Sequence, residues 1–136
     1  MKKTLNPLVI ILLFVASIAA CGKGGGGGGA CSETALTVTT TPATGSTEAP
    51  SAGTTFPLAV NVSANLPAAG VTIDVKARTE ASSTAFYTES KTVTGAITNF
   101  TITATPIGVP SIVEITVTSK SCATNKWTGN YRYSRK

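Results

Sequence analysis

From residue 56 onward, apolar and polar positions alternate with period two. Phe56, Leu58, Val60, Val62, Ala64 and Leu66 are separated by Pro57, Ala59, Asn61, Ser63 and Asn65. Val71, Ile73, Val75 and Ala77 alternate with Thr72, Asp74, Lys76 and Arg78. The same rhythm returns at Phe100, Ile102 and Ala104, and again at Val113, Ile115 and Val117. Alternation of this kind marks strands with one buried and one wet face. Turn residues separate the runs: Pro67-Ala68-Ala69-Gly70, Gly95-Ala96 and Pro106-Ile107-Gly108-Val109-Pro110. Stretches at 36–41, 85–93 and 127–134 complete about seven strands. No window carries a helical stripe and no internal repeat is visible.

Seven alternating strands at this spacing predict an all-β, antiparallel sandwich over residues 31–136. Its architecture resembles the immunoglobulin-like sandwich. The likeness is architectural only, because the buried Trp and paired-Cys spacing of antibody domains is absent. The connection at 41–55, built from Thr, Pro, Gly, Ser and Ala, reads as an exposed loop.

Residues 1–20 have a different composition. Lys2 and Lys3 precede an apolar run from Leu8 to Ala20, too short for a comfortable permanent membrane span of about 20 residues. A basic start, a short apolar core and small residues at the end form an export signal. The run closes on Ile18-Ala19-Ala20-Cys21, which resembles the lipobox of bacterial lipoproteins. That resemblance implies cleavage before Cys21, lipid on its thiol and a membrane anchor. Two or three acyl chains, at about 0.8 kcal/mol per buried methylene, make such an anchor effectively permanent. Gly22 after the cysteine resembles the outer-membrane rather than the inner-membrane sorting signal.

Residues 21–30 are almost all glycine after Cys21, with Lys23 the one charge. Glycine loses the most entropy on ordering and buries no side chain, so the segment reads as a disordered tether. A coil of about 9 residues spans roughly 15–18 Å. A phosphate-cradling loop would need a preceding strand, a following helix and usually Gly-Lys-Ser/Thr, and none is here.

Composition removes several kinds of chemistry. Charged residues make up 12% of the chain and histidine is absent. Without His there is no Ser-His-Asp or Cys-His arrangement and no imidazole metal site. Glu33, Glu48, Asp74, Glu80, Glu89 and Glu114 are scattered, without the clustering of a calcium loop or a glycosidase pair. The chain therefore reads as non-catalytic, with no metal and no cofactor. The formal charge is +5, and Lys2 and Lys3 account for two of these, so the chain from Cys21 carries +3. Lys120, Lys126, Arg132, Arg135 and Lys136 form most of the excess. They suit a solvated strand face or contact with anionic lipid or polysaccharide. Nucleic acid is not an expected partner, because no binding motif is present.

Two features could carry function. Trp127, Tyr131 and Tyr133 share parity on the last strand, with Phe86 and Tyr87 elsewhere. Either the three line the core, or Trp127 or Tyr87 is exposed as a stacking platform for sugar or peptide. Gly129 between them is a candidate bulge that would flip parity. The second feature is the pair Cys31 and Cys122, the two thiols left once Cys21 carries lipid. Export places them in an oxidising compartment. In an immunoglobulin-like sandwich the start of the first strand and the turn between the last two share a pole, so a Cys31–Cys122 disulfide is expected. The sequence thus implies a lipid-anchored envelope protein, a binding or adhesion module presenting loops or a sheet edge to a protein or glycan. The alternative is a structural or accessory subunit of an envelope complex with no ligand of its own.

Overall fold

The computed structural model describes residues 31–136. The expectations for the leader, for lipidated Cys21 and for the glycine tether fall outside these residues. Seven strands are present: β1 (Thr37–Thr41), β2 (Phe56–Ala64), β3 (Val71–Thr79), β4 (Ala85–Val93), β5 (Ile97–Ile102), β6 (Pro110–Ser119) and β7 (Lys126–Ser134). They form two antiparallel sheets, in the orders β1-β2-β5 and β4-β3-β6-β7. The fold is the all-β sandwich that the alternation predicts.

The core sits between the inward faces. Leu58, Val60, Val62, Phe100 and Ile102 come from one sheet, and Val71, Ile73, Val75, Ala77, Val113, Ile115 and Val117 from the other. Each belongs to the apolar parity of its strand, because successive side chains point to opposite faces. The opposite parity is polar, as at Thr72, Asp74, Thr116 and Thr128.

The fourth strand departs from the constant-type immunoglobulin arrangement, in which it joins the first, second and fifth. Here β4 folds back on β3 through residues 80–84, in register from Val71 opposite Val93 to Ala77 opposite Tyr87, with a register shift before Arg78 opposite Ala85. A loop this short favours a hairpin. Side-chain hydrogen bonds reinforce it on the outer face, between the Thr72 and Thr92 hydroxyls and from Ser90 to the Asp74 carboxylate. The chain then changes sheets within residues 94–96, where Ala96 accepts a hydrogen bond from the amide of Val62.

Two local expectations are corrected. The fifth strand begins at Ile97 rather than near Phe100, and Ala104 lies beyond it with φ of 58°. Gly129 makes no bulge, since β6 and β7 pair without a register shift from Pro110–Ser134 to Thr118–Lys126. The glycine instead leaves room for neighbours. A Cβ there would lie 2.5 Å from both the Trp127 Cη2 and the Thr44 Cγ2, so the indole folds across the strand at this point. The connection at 41–55 is exposed, as expected, and its backbone is docked along β7.

The end of the domain at which the chain enters is fastened. Cys31 and Cys122 form a disulfide with a Cα–Cα distance of 5.6 Å. The β6–β7 turn that presents Cys122 is built locally, with Ser119 Oγ accepting from the amides of Ser121 and Cys122 at 3.2 Å each. Asn125 adds a side-chain clamp. Its amide nitrogen donates to Glu33 and to the Thr34 carbonyl, and its oxygen accepts from the Leu36 amide.

Candidate functional site

At the end of the domain away from Cys31, the first sheet opens. β1 pairs with Ala59 through Ala64 of β2 and stops at Thr41, followed by a cis Thr41–Pro42 peptide. The chain then crosses to β7 and runs parallel to it. Gly45 donates to the Asn130 carbonyl at 2.7 Å and Glu48 to the Arg132 carbonyl at 2.9 Å. Arg132 donates back to the Ser46 carbonyl at 2.9 Å, and Ser51 to the Ser134 carbonyl at 3.1 Å. This covers the outer edge of β7, which would otherwise present unpaired backbone groups.

Leaving β1 early exposes the start of β2. Val62 of β2 donates toward β5, so the even residues of β2 point their backbone groups to β5 and the odd ones toward β1. Pro57 is therefore aimed at the vacated side, and it has no N–H to leave orphaned there. A recess of about 480 Å³ lies between the crossing segment and this part of β2. Its walls include Pro42, Ala49, Pro57, Ala59 and Phe56, with Leu58, Phe100, Tyr131 and Tyr133 beneath. The Phe56 and Tyr133 rings lie 4.7 Å apart between centroids and those of Tyr131 and Tyr133 6.0 Å apart, both tilted.

The polar groups here are few. Tyr133 shares a buried 2.7 Å hydrogen bond with the Thr105 hydroxyl. Tyr131 is 1% exposed, and its hydroxyl has no hydrogen-bond partner among the described residues. Burial, foremost, and neighbouring Tyr133 and Glu48 push its phenol well above the usual range. Burial likewise raises the phenol of Tyr133. Glu48 is the one charged side chain among the lining residues, and Ser46 Oγ donates to it at 2.6 Å. A carboxylate acid–base pair would need a second acid beside it.

The aromatics singled out from the sequence separate into three environments once folded. Tyr131 and Tyr133 are core residues at 1% and 4% exposure, not a surface platform. Trp127 is half-buried against the core, over Gly129. Tyr87 is half-buried on the opposite edge strand and donates to Glu89. Burial, then Glu89, raises the Tyr87 phenol, while Tyr87 and then Lys91 hold the Glu89 carboxyl below its ordinary value. Lys91 spans the two sheets on this side. Its ammonium lies 3.1 Å from Glu89, donates to the Asn99 carbonyl of β5 at 2.7 Å, and sits 4.5 Å from the Phe100 ring centroid. The inward-facing charge on an edge strand, capping a carbonyl of the other edge, opposes edge-to-edge pairing.

Tyr131 and Tyr133 therefore do meet at the recess, whereas Trp127 and Tyr87 do not line it. Glu48, Phe56 and Pro57 were not singled out from the sequence. Glu48 carried a faint signal as the one charge between Glu33 and Asp74. Among the described residues, no three His, Cys, Asp or Glu side chains gather as metal ligands. No protein family, curated protein or solved structure matches the chain.

Proposed function

We propose that this chain is a lipid-anchored protein of the bacterial envelope, outer membrane rather than inner. Its sandwich serves as a non-catalytic binding module for an envelope protein or glycan. One observation carries the reading: the recess and the point of chain entry lie at opposite ends of the domain. Cys31 is bonded to Cys122 beside the start of β7, while Tyr131 and Tyr133 near the end of β7 underlie the recess. A domain tethered through Cys21 thus holds its recess away from the anchored end. The lipobox Ile18-Ala19-Ala20-Cys21 supports the anchor.

Replacing Cys21→Ala should abolish labelling by a clickable palmitate analogue and release the chain from membranes. Intact labelling in that variant refutes the anchor. For the binding role, a photo-reactive residue at Ala49 should cross-link a defined envelope component, and one at Thr88 on the outer sheet face should not. Equal capture from both positions, or from neither, refutes it. The accessory-subunit reading draws on a different observation. Among the described residues the only large apolar side chains that are exposed are Ile97 and Ile107, so the flat sheet faces offer no apolar patch.

A further inference from the structure

The recess has the dimensions of a small-molecule site, which commonly falls between about 300 and 1,000 Å³. It is a surface hollow of about 480 Å³ with mostly apolar walls, open to solvent between the crossing segment and the start of β2. Beneath its floor the Tyr131 hydroxyl is sealed, without a partner among the described residues, while its neighbour Tyr133 is paired with Thr105.

What distinguishes the recess is charge. Among the described residues the ion pairs are Arg78–Glu114, Lys91–Glu89 and Arg132–Glu80, and Glu48 is in none of these. It stands on the crossing segment, close enough to Tyr131 to favour the protonated phenol. A carboxylate beside an apolar hollow attracts a cation and repels an anion of the same shape. Backbone pairing is not the mode of capture, because Pro57 faces the vacated edge and offers an added strand no amide hydrogen.

We infer that the recess binds a small organic cation, an ammonium group carried on an apolar body. The body lies against Phe56 and Leu58, and the ammonium is held by Glu48. This deepens the binding reading above and rests on it, yet the two fail separately.

Three probes with one phenyl body test it: 2-phenylethylammonium, neutral 2-phenylethanol and anionic phenylacetate. Each is titrated at neutral pH into the detergent-solubilised full chain, with empty micelles as the reference for partitioning. Methyl resonances of Leu58 and ring resonances of Tyr131 report occupancy. The cation should bind about fivefold or more tightly than the alcohol, and the anion most weakly. Glu48→Gln should remove the ranking by charge while leaving the alcohol unchanged. Absence of shifts at Leu58 and Tyr131 with all three probes at low-millimolar concentration overturns the inference. So does a charge ranking that survives Glu48→Gln. If no probe binds while cross-linking from Ala49 still captures its component, the cation assignment falls and the binding module stands.

Discussion

Removing the Cys31–Cys122 bridge should be the costliest change available at the surface of this domain. The bridge closes a loop with a sequence separation of 91 residues. In the chain-entropy treatment, cross-linking a loop of that length lowers the entropy of the unfolded chain enough to stabilise the fold by about 4.6 kcal/mol at 25 °C. The native geometry at this end does not depend on the bridge alone. Asn125 still holds Thr34 and Leu36, and Ser121 still donates to Glu33. The double variant Cys31→Ala/Cys122→Ala should therefore keep its fold and lose stability through the unfolded state. Cys122 is 3% exposed, so truncation to Ala adds a small packing loss. A domain of this size is stable by roughly 5–15 kcal/mol, so the bridge supplies a large share. Urea denaturation of the full chain, monitored by Trp127 fluorescence, measures the difference. The expected loss is about 4–5 kcal/mol, with Tm lower by roughly 15–30 °C. A loss below about 1 kcal/mol would refute the unfolded-state argument. Alkylation of denatured, unreduced protein gives a separate check: two labelled thiols at these positions would show that the bridge does not form.

Three other outcomes follow from particular residues. Gly70 has φ of 82° and its amide donates to the Pro67 carbonyl at 2.8 Å, while a Cβ would collide with the Val93 carbonyl. Gly70→Ala should destabilise by about 2–4 kcal/mol in the same assay, and a neutral result would show that the turn relaxes freely. Hydrogen bonds from Ser121, then Asn125, lower the pKa of Glu33 in the folded state. Its contribution is therefore present above the unfolded value of 4.5 and is lost as pH falls through the lower folded value. Glu33→Gln should flatten the fall of Tm below that pH, and an unchanged acid limb would remove Glu33 from it. Deleting residues 22–29 should leave Tm unchanged, since glycine brings no side chain to pack; a marked drop in a melting scan would show that the segment docks.

The sequence by itself determined the class of fold, because period-two alternation has one stable use, a sheet with one face buried. Val71, Ile73, Val75, Val113, Ile115 and Val117 all lie at 2% exposure or less, on the parity that the pattern assigns them. It also determined the Cys31–Cys122 pairing, once the strand count set both thiols at one pole. The recess was not legible. Its parts are apart in sequence, Glu48 in a Thr- and Ser-rich connection, Phe56 at the head of β2 and Tyr131 near the end of β7, and local patterns report only neighbours along the chain. Parity correctly placed Tyr131 and Tyr133 inward, yet it could not say that one phenol finds Thr105 while the other has no partner among the described residues. Gly129 shows the same limit. Its period-two neighbour Trp127 needs room that only the folded strand defines, so a glycine that reads as a bulge in sequence is a slot for an indole in space. The alternation of the fourth strand does not report its sheet. Its polar alternation fits any edge, and the short connection at 80–84 folds it back on β3.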